Sequence, residues 1–530
     1  MSLLPVVIVG AGPVGLSLAI DLAQRGQSVV LLNKGKLTAS GSKAICFSKR
    51  SLEIFDRLGC GQRMVDKGVS WNVGKVFLKD KSLYGFDLLP EPGHSRPAFI
   101  NLQQYYVEAY LAERAAELPN IDIRWLNKVT AISQTADGTT LTVETSESSD
   151  TLQAQYVVAC DGSRSTVREL MGLETTGRVF QDRFLIADVK MTAEFPIERW
   201  FWFDPPFHPN QSVLLHSQPE NVWRIDFQLG WDADPEEEKK PEKIIPRVKA
   251  LLAYGAKNKD NAPEFELEWA SVYTFACQRM ASFRHGRVLF AGDSAHGVSP
   301  FGARGANSDI QDAENLAWKL DAVLRGQAPE TLLNSYASER EYAADENIRN
   351  STRATDFITP KSAISRVFRD AVLDLAKDYP FARTLVNSGR LSVPATLHSS
   401  ALNTPDGDEF AGRMVPGSVA LDAPVQLPDG GASWLLSQLG ADFSLMVYGA
   451  DVNLDAPCHV MHIQPKNAAN LAQANVLIDR DGLISKRYDM QPGTAYLLRP
   501  DQHVCARWRQ LTPAKLQTAL DLALSKHGKH

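Results

Sequence analysis

Residues 10–15 read GAGPVG, three glycines at G-x-G-x-x-G spacing. Each has a separate physical task. Gly10 makes a tight turn, Gly12 lets backbone approach a pyrophosphate, and Gly15 lets a helix pack closely on a strand. Val6 to Val9 before the turn reads as a strand, Pro13 to Arg25 as a helix, and Ser28 to Leu32 as a second strand. The helix start offers free N–H groups and a positive dipole end to phosphates. Such a unit ordinarily leads, about 20 residues on, to an acid that holds ribose hydroxyls. Here Asn33 stands there, followed by Lys34 and Lys36. Either the site tolerates a 2′-phosphate, which the lysines favour, or Asn33 accepts a weaker hydrogen bond through its amide oxygen. The residues around position 33 leave both open.

A second constellation is AGDSAHGVSPFGARGAN, after the apolar strand RVLF. Asp293, just past Gly292 at the strand end, can accept hydrogen bonds from a polyol. Beyond Pro300, the Gly302–Asn307 turn opens a helix whose Ile310, Ala313, Ala317 and Leu320 face a core. Its first N–H groups suit negative charge, such as that of a reduced flavin near N1 and the C2 carbonyl. A third stretch runs from the strand YVVAC into DGSRSTVREL. In VWRIDFQL, alternation sets Arg224, Asp226 and Gln228 on one face and Trp223, Ile225 and Phe227 on the other, with His216 on the preceding strand.

These residues need a large frame. At 530 residues the chain suggests two to four domains, with an ordinary globular composition of 44% hydrophobic and 22% charged residues. A net charge of -6 gives no electrostatic reason to expect nucleic acid or an anionic membrane. Six scattered cysteines, none at C-x-x-C spacing, indicate neither zinc nor a dithiol and fit a reducing cytoplasm. The apolar stretch Leu3 to Ile20 lacks a basic flank and contains Gly10, Gly12, Pro13 and Gly15, so it reads as strand, turn and helix rather than a signal or membrane segment. DADPEEEKKPEK reads as a solvated loop entering a helix, and VTAISQTADGTTLTVET as a hairpin turning at Asp137-Gly138. Aromatic-rich alternation between 175 and 285 suggests an inserted antiparallel sheet. Helices follow to about 390, then a Pro/Gly/Ser/Asn-rich linker and a last unit of short strands with a terminal helix.

Three motifs in order, GAGPVG, VVACDGSRSTVRELMG and GRVLFAGDSAHGVSPFGARGANSDIQDAENLAWKL, resemble those of the single-component FAD-dependent aromatic hydroxylases, the group of para-hydroxybenzoate and phenol hydroxylases. The resemblance spans residues 5 to about 345. LPDGGASWLLSQLG and YLLRPDQHVCARW resemble the thioredoxin-like tail of phenol, hydroxyphenylpropionate and polyketide hydroxylases, here without its cysteine pair. The implied fold is α/β: a Rossmann-like FAD-binding domain (1–174 and 286–390), an inserted antiparallel-sheet substrate domain (175–285), a linker (391–415) and a thioredoxin-like domain (416–530). The tail then looks structural or oligomeric, and a homodimer is among the expected assemblies.

The resemblance implies cofactor contacts at Gly10, Gly12, Pro13, Gly15, Asn33, Lys34, Lys43, Gln104, Val129, Asp161, Gly162, Gly292, Asp293, Pro300, Gly305, Ala306 and Asn307. Lys43 stands where arginine is usual, keeping charge but losing the bidentate fork. Ala303-Arg304 replace the common Gly-Gln, and Ser308-Asp309 stand where glycine is frequent. The implied reaction is reduction of FAD by NADPH or NADH, addition of dioxygen at flavin C4a, and transfer of oxygen to an electron-rich arene. With a single G-x-G-x-x-G, the reductant is expected to bind transiently against the FAD domain. Arg224 is expected near flavin or reductant, and His216, Asp226 or Gln228 to orient or help deprotonate a phenol. Tyr273 and Arg279 are further wall candidates. A flavoprotein epoxidase or polyketide-type hydroxylase is the alternative on the same fold, with a flavin-free NAD(P)-dependent dehydrogenase or a flavin-binding sensor behind it.

Overall fold

The computed structural model describes residues 3–36, 44–192, 195–255, 263–386, 391–449, 457–466 and 475–526. In the first sheet, parallel strands run in the order Val288–Phe290, Ser149–Ala159, Leu4–Val9, Val29–Asn33, Ile121–Trp125. The antiparallel pair Arg284–His285 closes one edge, and the hairpin Lys128–Gln134/Thr139–Glu144 extends Ser149–Ala159 with its turn at the expected Asp137-Gly138. The runs VVIV and VVLL are apolar without alternation because helices cover both faces of a parallel sheet. Leu16 and Ile20 of helix Pro13–Gln24 and Ile310 and Leu316 of helix Gly305–Leu324 share one core with Val7, Val30, Val158 and Leu289.

The second sheet has the order His296–Gly297, Phe265–Met280, Thr175–Met191, Val222–Leu229, Ser212–Ser217, Arg199–Phe203, Val73–Leu78, Lys81–Asp87. Its last two strands come from before residue 175, so the sheet draws on more of the chain than its aromatic-rich segment. Arg199–Phe203 lies parallel to Val73–Leu78 with Arg199 opposite Gly74, a pairing set by tertiary register that local periodicity does not encode. One face packs Trp223, Ile225 and Phe227 on Ile244, Val248 and Leu251 of helix Pro241–Gly255. The other packs Phe184, Phe203, Leu214 and Phe275 against Ile358 of helix Leu332–Ile358 and Leu373 of helix Ala363–Asp378.

The third sheet runs Ala432–Trp434, Pro424–Gln426, Val476–Asp479, His459–Pro465, Ser444–Tyr448, Ala495–Leu498, Val504–Trp508. One side packs on Trp318 and Ala322 of helix Gly305–Leu324 and on helix Pro513–Ala523. Residues 391–415 contain neither helix nor strand, yet they are strapped down. Thr404 N–H donates to the Cys505 carbonyl at 2.8 Å, and Arg507 pairs with Asp406 at 2.6 Å. Among the described residues no helix is long and apolar enough to cross a membrane.

Candidate functional site

The parallel strands end side by side, so the segments after them form one edge. Gly10 N–H donates to the Leu32 carbonyl, Cys160 N–H to Val9, and Ala291 N–H to Ala159, at 2.7, 2.7 and 3.0 Å. The Gly10–Gly15, Asp161-Gly162 and Gly292-Asp293 turns therefore line the carboxyl ends of neighbouring strands, where open α/β sheets bind ligands. The glycines divide by what a side chain would meet. At Gly10 (φ +109°) a Cβ would lie 2.4 Å from the Cys160 carbonyl oxygen, and at Gly15 it would lie 1.9 Å from that of Gly10. Both are imposed by close backbone packing. Gly12 and Gly162 instead have nothing within 4 Å of such a Cβ, so they face open space. Above Gly12, helix Pro13–Gln24 begins without a side-chain cap or an acid in its first turn. An unblocked glycine beneath an uncapped helix start fits a pyrophosphate.

Around this cradle, Asn33 Oδ1 accepts the Ala11 N–H at 3.1 Å and Nδ2 donates to the Gly35 carbonyl at 3.1 Å. Its amide oxygen thus latches the glycine turn, as a carboxylate could, while its N–H donor, which a carboxylate lacks, ties down Gly35. The second lone pair of Oδ1 is what it can offer a ribose. Lys34 is exposed beside it, and Lys43 lies outside the described residues. Gln104 Oε1 accepts the Ala44 N–H at 3.1 Å, and Nε2 donates to Glu108 at 2.7 Å. Val129 is 3% exposed and packs in the first core, leaving only its backbone for a ligand. Asp161 Oδ2 accepts the Val167 N–H at 3.1 Å, while Oδ1 is buried without a partner.

At the far side Asp293 and Pro300 are exposed, and helix Gly305–Leu324 also starts without a side-chain cap or a first-turn acid. The Asn307 side chain is spent internally. Nδ2 donates to the Cys46 and Ala303 carbonyls at 2.8 and 2.7 Å, and Oδ1 accepts from Ser48 N–H and Ser51 Oγ at 2.8 and 2.6 Å. Backbone at Gly305, Ala306 and Asn307 is what remains for a ligand.

A buried brace that the sequence reading missed holds the Asp293 turn. Asp312 accepts from Gly292 N–H at 2.9 Å and Arg340 Nε at 2.6 Å, and it meets His296 Nε2 at 2.8 Å. Burial works against its charge, but Arg340 and His296 keep its pKa below the ordinary value. At the neighbouring Asp309 the Arg340 charge is outweighed. Burial, then the charges of Asp293 and Asp312, push its carboxyl well above the usual range. His296, Asp309 and Asp312 come close enough to share a cation, yet Asp312 is already satisfied by Arg340, which reads as a hydrogen-bonded brace. The i, i+3 acids of SDIQD were its only trace in the sequence.

On the second sheet, Arg224 and Asp226 project from Val222–Leu229 as alternation predicts. Arg224, 2% exposed, grips Asp188 with Nε and Nη2, both at 2.8 Å. Gln228 Oε1 accepts the Ser212 N–H at 2.9 Å, so these two side chains brace the sheet. His216 Nε2 lies 3.6 Å from Asp226 Oδ2, and its Nδ1 lies 4.0 Å from Cys46 Sγ. Asp226 Oδ1 is buried with no hydrogen-bond partner. Burial opposes the charge on His216, but Asp226 and Cys46 outweigh it and raise its pKa. Burial likewise disfavours a Cys46 thiolate, but the His216 contact and the Arg199 charge lower the thiol below its ordinary value. Cys46 is the residue whose carbonyl Asn307 holds, so this trio stands directly beside the helix start. Tyr273 is half-buried, its phenol pushed up to about 12 by burial and then by Asp293. Arg279 is committed to Asp345 at 2.6 Å.

A dinucleotide cradle on a parallel sheet, with a second sheet holding polar groups against it, defines a cofactor-dependent oxidoreductase architecture. A family model described as FAD binding domain matches residues 4–351, and the chain belongs to that family. It is 26% identical over 97% of its length, and 90% of the relative's, to a 3-(3-hydroxy-phenyl)propionate/3-hydroxycinnamic acid hydroxylase of Mycobacterium sp. strain KMS. It is 33% identical to a probable NADH-specific resorcinol 4-hydroxylase of Rhodococcus jostii strain RHA1, over 63% of this chain and 62% of that one. In fold it is similar to the flavin-dependent monooxygenase PieE, solved with FAD and substrate, at a TM-score of 0.81 with 20% identity and 99% of each chain covered.

Proposed function

We propose that this protein is an FAD-dependent aromatic hydroxylase, using NADH or NADPH and dioxygen to hydroxylate a phenolic ring. The observation that carries the reading is the His216–Asp226 pair beside Cys46 at the start of helix Gly305–Leu324. It places a proton acceptor next to the backbone N–H groups suited to a flavin's pyrimidine edge. When bound, the flavin supplies the redox chemistry that activates dioxygen. The chain supplies the rest. Gly12 and the first turn of helix Pro13–Gln24 would hold the pyrophosphate, Asp293 the ribityl hydroxyls, and the Gly305–Asn307 backbone the pyrimidine edge of the flavin.

Asp226 Oδ1 accepts the substrate phenol O–H, drawing electron density onto the ring, while His216 on Oδ2 fixes the carboxylate. Arg224 acts through Asp188 by holding the strand that carries Asp226. A panel of phenols scored by stimulated NAD(P)H oxidation with product analysis tests the activity. Asp226→Asn and His216→Asn are expected to lower stimulated turnover about 100-fold with FAD still bound. Unimpaired turnover in both would remove the assignment. Arg224→Ala is the poorer probe, because it leaves Asp188 buried without its cation.

We also propose the domain division given above, except that the second sheet's unit also takes in strands Val73–Leu78, Lys81–Asp87 and His296–Gly297, with a thioredoxin-like tail. Its support is that strands Ser444–Tyr448 and His459–Pro465 pair parallel, followed by antiparallel Ala495–Leu498 and Val504–Trp508. Six unpaired cysteines agree with a reducing cytoplasm. A homodimer is supported by exposed Ile364, Val367 and Phe368 on helix Ala363–Asp378 and exposed Phe381 and Leu385 on helix Pro380–Val386. Equilibrium sedimentation is expected to give a dimer that Val367→Glu with Phe368→Glu dissociates; a monomeric wild type would refute it.

A further inference from the structure

Cys46 comes to the second sheet from strand Cys46–Ser48, where it stands opposite Asn101. Its Sγ donates to Asn101 Oδ1 at 3.2 Å and lies 4.0 Å from His216 Nδ1. The face it meets carries a row of ionisable side chains. Asp188 is opposite Arg224, and Arg224 is opposite His216. Trp200 is opposite Leu215, so Arg199 and His216, the next residues on those two strands, turn together to the other side. Arg224 is answered by Asp188, and His216 by Asp226 at 3.6 Å. Arg199 is 8% exposed, yet its Nη1 is buried with no hydrogen-bond partner.

A thiolate is favoured by such surroundings: an imidazole to take the proton, and a buried guanidinium N–H with nothing to bond. The other cysteines lack both. Burial pushes Cys60 and Cys505 up to about 12 and Cys458 up to about 11, and it raises Cys160 and Cys277 as well. At Cys46 burial acts the same way, but His216 and Arg199 outweigh it, with Asp226 opposing them. Cys46 also keeps partial exposure, which a small oxidant requires.

We propose that Cys46 is an oxidisable thiol, which a hydroperoxide converts to a sulfenic acid. The Sγ thiolate attacks one oxygen of hydrogen peroxide, so that an S–O bond forms as the O–O bond breaks. Sulfur gives up an electron pair, and the departing hydroxide takes the proton held on His216 and leaves as water. On the aromatic-hydroxylase reading, hydrogen peroxide arises beside this thiol whenever dioxygen is reduced and no substrate takes its oxygen. The thiol chemistry itself does not depend on that reading.

The holoenzyme is treated with hydrogen peroxide, and sulfenic acid is trapped with dimedone and mapped by peptide mass spectrometry. Cys46 is expected to be labelled about tenfold faster than Cys458, the other partly exposed cysteine. His216→Asn should slow Cys46 about tenfold and Arg199→Met several-fold, with Cys458 labelling unchanged as the sign that the fold is kept. Alkylation of the wild type by iodoacetamide needs no variant: Cys46 should reach half its maximal rate below the ordinary thiol midpoint of about pH 8.5. Equal labelling of Cys46 and Cys458, a Cys46 rate indifferent to both substitutions, or an alkylation midpoint at or above the ordinary value overturns the proposal. Selective labelling of Cys46 without stimulated NAD(P)H oxidation by any phenol would uphold the thiol and refute the hydroxylase reading instead.

Discussion

Arg499→Leu is expected to destabilise the protein by about 3–5 kcal/mol, because it strands two buried carboxylates. Arg499 is fully buried. It donates to Glu339 Oε1 and Oε2 at 2.7 and 3.0 Å, and to Asp501 Oδ1 and Oδ2 at 2.9 and 2.5 Å. Lys319 Nζ adds a contact to Glu339 at 2.7 Å, and Asn315 bridges Glu339 and Asp501. Residues 315, 319 and 339 belong to helices Gly305–Leu324 and Leu332–Ile358, whereas Arg499 and Asp501 lie in the turn between the third sheet's strands Ala495–Leu498 and Val504–Trp508. The cluster therefore ties the C-terminal unit to the rest.

Burial resists the charge on both acids, but Arg499 overcomes it and holds them below the ordinary carboxylate range. A carboxyl depressed in the folded state contributes stability above its unfolded pKa, near 4, and loses it as pH falls through the folded value. The deficit of Arg499→Leu should thus be full at pH 7 and shrink below pH ~4. Urea unfolding at pH 7 and pH 3 measures this, and a loss under about 1 kcal/mol at pH 7, the scale of an exposed ion pair, would mean the cluster is not a staple. Adding Asp501→Asn should recover part of the loss, since a neutral amide leaves no stranded charge there, whereas Glu339 keeps Lys319 as its cation.

Gly12→Val should fold like the parent and lose FAD affinity by about 100-fold or more, roughly 2.7 kcal/mol. The backbone at Gly12 has φ -82° and ψ -174°, which any residue adopts, and open space surrounds its Cβ position. A valine there occupies only the open space proposed for the phosphates. Gly10→Ala is the contrasting control. With φ +109° and the Cys160 backbone 2.4 Å from the new Cβ, it should fail to fold rather than merely fail to bind. Melting of the FAD-free proteins by circular dichroism and FAD fluorescence titration separate the two effects. Wild-type affinity in Gly12→Val would show that the pyrophosphate lies elsewhere.

The same contrast shows how much of the site was legible in advance. Glycine spacing and apolar runs announced the turn, the flanking strands and both helix starts, because each depends on residues close in sequence. Alternation assigned Arg224 and Asp226 to one face correctly, but it could not show that Asp188, 36 residues away, already holds Arg224. Asn33 was ambiguous for a related reason. Its meaning depends on what its amide touches, and in the fold it touches Ala11 and Gly35. Cys46 gave no signal, since its neighbour His216 is 170 residues away.

By itself the sequence determined that the protein has a dinucleotide cradle and the order of the strands, turns and helices at the three motifs that frame it. The tertiary structure decided which charges are spent and which are available. Arg224 and Arg499 are answered by carboxylates brought from distant segments, while Arg199 Nη1 is buried without a partner. The physical reason is that local conformation follows from neighbouring side chains, whereas the pairing of a buried charge follows from sheet register and from the packing of elements hundreds of residues apart.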